Sequence, residues 1–94
     1  MTHSNSVAVV TGSARNIGRA TAIKLGELGF SVVVHTNNDD ENLQQTADLV
    51  RQTGIECATV VGSLDNPDTI IALDRACNTL GHCRVLVNNA SVRK

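Results

Sequence analysis

The 94-residue sequence predicts an α/β fold, a parallel sheet with helices packed on it in the order β-α-β-α-β-α-β. Two observations carry that prediction. Four short runs rich in β-branched residues alternate with three longer stretches of helical periodicity, and the connections between them are short. Such alternation calls for right-handed crossovers and a parallel sheet. The second observation is the stretch Val7 to Ala20, VAVVTGSARNIGRA, in which a buried-type strand breaks at Thr11-Gly12 and re-enters periodic structure at Ile17-Gly18. A strand feeding through a glycine turn into a helix leaves backbone N–H groups and the positive helix end facing one point, an anion site suited to a diphosphate. Gly12 permits the tight turn and Gly18 lets helix and strand approach closely.

Taken in order, Val7–Val10 is the first strand, apolar enough to be buried on both faces. The first helix runs from Asn16 to Leu28, with Ile17, Thr21, Leu25 and Leu28 on one face and Gly29 as its left-handed cap. The second strand is Phe30 to His35. A polar turn from Thr36 to Asp40 follows, where Asn38 or Asp39 caps the second helix. Leu43, Ala47 and Val50 form that helix's buried face and Gly54 ends it. Glu56 to Val61 is the third strand. Asn66-Pro67 reads as an N-cap followed by proline at the first helical position. The third helix places Ile70, Leu73, Cys77 and Leu80 in one stripe and stops at Gly81. Arg84 to Asn88 is the fourth strand, and the expected strand order is 3-2-1-4, truncated after that strand.

Composition narrows the function. The formal charge is −1, which implies no nucleic acid and no anionic membrane surface as partner. No apolar run is long enough to span a bilayer, and the polar start Met1 to Ser6 is unlike a signal peptide. Cys57, Cys77 and Cys83 lack CxxC spacing, so a reduced, cytoplasmic protein is expected. His82, Cys83 and Cys77 fall short of a metal ligand set, and no metal is expected. The acids Asp39, Asp40 and Glu41, like Asp65 and Asp68, read as the favourable negative charge of helix first turns. There is no Tyr and no Trp, and Phe30 is the only aromatic residue.

TGSARNIG (Thr11 to Gly18), with NNA (Asn88 to Ala90) closing the fourth strand, resembles the short-chain dehydrogenase/reductase family, whose motifs read TGxxxGxG and NNAG. Asn16 stands where the family has its middle glycine and Ser91 where it has the last. Those departures, with Val32 to Asn38 (VVVHTNN), look more like the pteridine-reductase branch. The resemblance covers the whole chain and the first half of a family member. It implies that residues 1–94 are the amino-terminal half of a dinucleotide-binding Rossmann domain. Gly12, Asn16, Ile17 and Gly18 would then surround the diphosphate and its ribose, while Asn89, Ala90 and Ser91 would run beneath the adenine-side ribose toward the nicotinamide. Ser63-Leu64 stands where the family has Asp-Leu against adenine, so a carboxylate acceptor is missing there.

Cofactor choice follows from charge. A nicotinamide cofactor without a 2′-phosphate is normally held by a carboxylate at the end of the second strand. Here that end is His35, Thr36, Asn37 and Asn38, with no acid before Asp39, and Arg15 stands ready to supply positive charge. NADP is therefore expected over NAD. His35 either donates to the phosphate or closes the strand with a backbone hydrogen bond, and Arg15 is either a phosphate ligand or a solvated loop residue.

The family moves hydride between nicotinamide and a carbonyl or imine with a Tyr acid, a Lys in a YxxxK motif and a Ser. Lys24 and Lys94 are the sequence's lysines and neither sits in such a motif, so no catalytic residue is assigned. The expectation is the NADP-binding half of an oxidoreductase acting on a small carbonyl or pterin-like substrate, catalytically incomplete as written. Its expected partner is a further copy of the chain or a missing second half. The alternative is a short nucleotide-binding or interaction module without activity.

Overall fold

The protein's structure, a computed structural model, describes residues 6–89. Its elements are β1 (Ser6–Thr11), α1 (Asn16–Glu27), β2 (Ser31–Thr36), α2 (Asp40–Arg51), β3 (Cys57–Val61), α3 (Pro67–Leu80) and β4 (His82–Asn88). They form one four-stranded sheet in the order β3-β2-β1-β4. All pairings are parallel. The fold is thus the expected one, with boundaries that differ by a residue or two. β2 begins at Ser31 rather than Phe30 and extends through Thr36, β3 begins at Cys57, and β4 begins at His82 rather than Arg84. Arg84 is the extra residue of a bulge, since Cys83 pairs with Val7 and Val85 with Ala8.

Successive residues of a strand face opposite sides of the sheet, and the helices divide accordingly. On the α1/α2 face Val10, Val32 and Val34 pack with Ala22, Leu43, Ala47 and Val50. On the α3 face Val7, Val9, Val33 and Val60 pack with Cys77. The stripe Leu43, Ala47 and Val50 of α2 is buried as its periodicity predicts, joined by Thr46.

Two helices turn differently from the expectation. The inward face of α1 is Gly18, Ala22 and Gly26. Ile17 is 73% exposed and Leu28 is exposed as well; of the expected stripe Ile17, Thr21, Leu25 and Leu28, Leu25 packs against the core from its edge. The physical reason is distance: α1 lies so close to its neighbours that a Cβ on Gly26 would stand 2.7 Å from Thr53 Oγ1 and 3.3 Å from Val50 Cγ1. Only small residues fit that seam. In α3, Ile70 is exposed and Thr69 is buried in its place. The helix starts as predicted, with Asn66 Oδ1 accepting from the Asp68 N–H at 2.9 Å and Pro67 next in line.

Candidate functional site

The carboxyl ends of all four strands converge on the turn that leaves β1. Thr11 Oγ1 accepts from the Asn89 N–H at 3.0 Å, and Asn89 Nδ2 donates to the Gly12 carbonyl at 3.0 Å. On the other side the Gly12 N–H donates to His35 Nδ1 at 3.1 Å. His35 Nε2 lies 2.8 Å from the Gly62 carbonyl just beyond β3. A donor at Nδ1 and an acceptor at Nε2 fix the neutral tautomer with its proton on Nε2. His35 is 1% exposed, and its own N–H donates to Ser13 Oγ at 2.9 Å. Both ring nitrogens are therefore occupied by backbone groups. In this geometry His35 is a strut behind the turn rather than a phosphate donor.

The turn continues into α1 through backbone that suits its residues. Gly12 has φ 63° and Asn16 has φ 57°, a left-handed conformation that asparagine tolerates better than most residues. That explains how Asn16 stands where the related motif has glycine. A Cβ on Gly18 would fall inside contact with the Gly12 carbonyl oxygen, 2.8 Å from Asn89 Nδ2 and 2.9 Å from Ser13 Cα. The first turn of α1 contains no acid, whereas α2 has Asp40 and Glu41 there and α3 has Asp68. The N-terminus of α1 keeps its positive end uncompensated from within the helix.

These elements enclose a cleft of about 390 Å³. Gly12, Ala14, Arg15, Asn16 and Ile17 line one side, and Thr36, Asn37, Asn38, Asp39 and Asn89 the other. Eight of the expected site residues therefore meet in one cleft: Gly12, Arg15, Asn16, Ile17, Thr36, Asn37, Asn38 and Asn89. Gly18 lies beneath it and His35 behind it. Ser63 and Leu64 do not line it; Ser63 Oγ instead accepts from the Asp65 N–H at 3.2 Å. Ala90 and Ser91 lie outside the described residues.

Ala14 and Asp39 in the cleft, and Asn42, Arg19 and Thr46 behind it, are not assigned to the site by sequence. Asp39 lines the cleft and pairs with Arg15, Nε to Oδ2 at 3.2 Å. Asn42 Nδ2 donates to both oxygens of Asp39 at 3.0 Å. Arg19 reaches back from α1, donating to Thr46 Oγ1 at 2.8 Å, the Ala14 carbonyl at 2.8 Å and the Asn42 carbonyl at 2.9 Å. Thr46 Oγ1 also donates to the Ala14 carbonyl, so the cleft's loop is pinned to α2. Ordinary helix periodicity carries no signal for the contacts among them that join Arg15 to Asp39, Arg19 to Thr46 and Asn42, and Thr46 to Ala14, which span 23 to 32 positions.

The thiols offer no nucleophile within the site. Burial pushes the Cys57 thiol up to about 11, with nearby Arg51 opposing. Burial, together with neighbouring Cys83, raises Cys77 to about 11 as well. Among the described residues no group of three or more His, Cys, Asp or Glu side chains is placed to hold a metal ion, and no helix is long and apolar enough to cross a membrane.

Residues 6–94 match the sequence model described as short chain dehydrogenase. The trihydroxynaphthalene reductase of Pestalotiopsis fici is 31% identical over 87 residues, which cover 92% of this chain and 31% of that protein. The 3-oxoacyl-(acyl-carrier-protein) reductase of Pseudomonas aeruginosa is 33% identical over 95 residues, covering 100% of this chain and 38% of that one. The chain thus spans about a third of the length of these relatives. Among solved structures, the acetoin dehydrogenase of Salmonella typhimurium superimposes with a TM-score of 0.86 at 33% identity, covering 96% of this chain and 36% of its own. A metagenomic short-chain oxidoreductase in complex with NADP gives 0.81 at 41% identity, with 95% and 40% covered. The carveol dehydrogenase of Mycobacterium avium in complex with NAD gives 0.85 at 26% identity, with 96% and 37% covered.

Proposed function

The chain belongs to the short chain dehydrogenase family, and from that premise we propose that its cleft binds the adenosine-diphosphate portion of NADP for an oxidoreductase acting on a small carbonyl compound. The observation that carries this reading is the uncompensated N-terminus of α1, opening beside a glycine turn into a cleft with Arg15 on its rim. Such a terminus supplies backbone N–H donors and positive potential to a diphosphate. Thr36, Asn37 and Asn38 present neutral side chains where an acid would repel a 2′-phosphate, and Arg15 is within the same cleft to attract one. Asn89, tied to Thr11 and Gly12, holds the opposite wall. When bound, the cofactor supplies or accepts the hydride. The residues of the cleft bind and orient it.

Residues 1–94 constitute the amino-terminal half of the dinucleotide-binding domain in this reading. They include no tyrosine, so a proton donor for a developing alkoxide is absent from them and they do not by themselves turn over a carbonyl or pterin. The test is a titration of NADPH and NADH followed by nucleotide fluorescence. NADPH binds more tightly, and Arg15→Ala weakens NADPH selectively. Equal loss for both cofactors overturns the assignment of Arg15. Carbonyl reduction by homogeneous 94-residue chain, with longer species excluded by mass spectrometry, overturns the division of labour.

A further inference from the structure

We propose that Cys77 and Cys83 are a reversible dithiol pair, a modification site at the junction of α3 and β4 that low-molecular-weight disulfides oxidise to an intramolecular bridge. A hydrogen bond already joins the two thiols. The backbone brings them together. The Cys77 carbonyl accepts from the Gly81 N–H at 2.9 Å, which closes α3 in a tight stop, and β4 departs at the next residue. In β4, Cys83 pairs in register with Val7. Residues paired in register on neighbouring strands present their side chains to the same face of the sheet, and Val7 packs with Cys77 in the α3 core. Cys83 thus stands on the face that α3 covers, six positions after Cys77. Cys57 belongs to the core on the opposite face and to the strand at the far edge of the sheet. The pair lies at the start of β4, away from the cleft, which Asn89 lines beyond the strand's other end.

The two thiols are suited to different steps. Cys83 is exposed and meets a reagent from solution, whereas Cys77 is buried. Burial, with neighbouring Cys83, keeps the proton on Cys77 at neutral pH, so it is no independent target. The Cys83 thiolate attacks one sulfur of oxidised glutathione. A new S–S bond forms, the old one breaks, and the first glutathione leaves as a thiolate that takes up the proton Cys83 released. Cys77 then attacks the Cys83 sulfur of this mixed disulfide, and its proton goes to the second glutathione as that leaves. Two protein thiols are oxidised, and one glutathione disulfide is reduced to two thiols. The second step joins groups that are already hydrogen-bonded neighbours, so it outruns capture of another molecule. The bridge fastens the end of α3 to β4, whose one strand neighbour among the described residues is β1.

The experiment incubates the folded, dilute full chain with oxidised glutathione at about pH 8, quenches with acid, and reads intact mass and disulfide-linked peptides. The expected product is a monomer lighter by two hydrogens, with Cys77 joined to Cys83, Cys57 still open to alkylation after unfolding, and complete reversal by dithiothreitol. Cys77→Ser, with Cys77→Ala beside it, lacks the second thiol and should accumulate a glutathione adduct on Cys83, about tenfold above the unaltered chain at the same time. Circular dichroism reports whether these variants fold. Cys83→Ser, altered at an exposed position, answers independently of them and should form neither bridge nor adduct while folded. Four outcomes in the unaltered chain overturn the proposal: an adduct that persists on Cys83, a bridge that includes Cys57, a disulfide-linked dimer, or thiols that stay free in excess oxidised glutathione. A bridge or adduct in folded Cys83→Ser overturns it as well.

Discussion

β1 and β4 lie side by side and are nearly interchangeable as text, VAVV against VLV, yet they have opposite fates. Val7, Ala8, Val9 and Val10 are buried, whereas Leu86, which pairs in register with Val9, is 67% exposed. The difference is in what lies over each strand. β1 sits mid-sheet between β2 and β4 with helices on both faces, while β4 has β1 as its one strand neighbour among the described residues. Burial is a property of the neighbourhood, and apolar content only permits it. The same contrast marks the cleft: its loops leave β1 and β2, where backbone and side chains are pinned, and among the described residues Asn89 alone comes from the β4 side. A rigid framework beneath a site preserves the geometry its chemistry needs.

The largest way to break this contrast is to fill the seam under α1. Gly18→Val puts a side chain against the backbone of Gly12 and Ser13, which cannot move aside without moving β1. The loss should be about 3 to 4 kcal/mol, together with nucleotide binding. Leu86→Val, on the exposed strand, should cost less than about 0.5 kcal/mol. Denaturant midpoints measured in parallel check both. Comparable losses would show that the two strands are equally committed to the core.

The strut behind the turn is next. His35→Leu removes the partner of the Gly12 N–H and of the Gly62 carbonyl at once. Two buried backbone groups left unsatisfied should cost about 2 to 4 kcal/mol. Nucleotide affinity should fall with them, because the turn is no longer held. His35→Asn retains a donor and an acceptor and should recover part of the loss. A His35→Leu protein as stable as its parent would deny the strut.

How much of this was legible beforehand follows from the range of each interaction. The strands, the glycine turn, the proline-led start of α3 and the strand order rest on local pattern, and they stand in the structure. The inward face of α1 was misread because periodicity rewards large apolar residues, while close packing selected Gly18, Ala22 and Gly26. The likeness of Thr69 to an exposed polar residue hid its place against Gly62, as a Cβ there would meet its hydroxyl. Asp39 looked like a helix-end acid, and its partner Arg15 lies 24 positions away in sequence. Sequence leaves His35 two roles because strand alternation alone does not say what its ring meets.

The two faces of the sheet each carry one buried thiol, which makes a finer comparison. Cys57 belongs to the α1/α2 core and Cys77 to the α3 core. Burial raises Cys57 from 9.0 to about 11. Below pH 9 folded and unfolded chains both keep that proton, so its contribution to stability is constant. Between about 9 and 11 the unfolded chain loses it first and stability falls, by about 3 kcal/mol in all. Cys77 shifts in the same direction. Melting curves from pH 8 to 11 should therefore descend, less steeply for Cys57→Ala. A thiol reagent at pH 8 should modify exposed Cys83 before either buried thiol.

The smallest expected change in stability comes from Leu86→Lys, and it tests what the exposed strand is for. Leu86 is surrounded by little, so exchanging it should alter stability by less than about 0.5 kcal/mol. Its effect should appear in association instead. β4 offers backbone donors and acceptors on its outer side together with an apolar side chain, a combination that templates pairing with another strand. The 94-residue chain expressed alone should therefore self-associate, with a scattering mass above 9.9 kDa that rises with concentration. A lysine at the centre of that edge opposes a second copy by charge and should return the mass toward the monomer. A parent chain that is already monomeric, with a cooperative melt, would mean that β1 and its helices stabilise β4 without help, and the contrast between the two strands would be one of exposure alone.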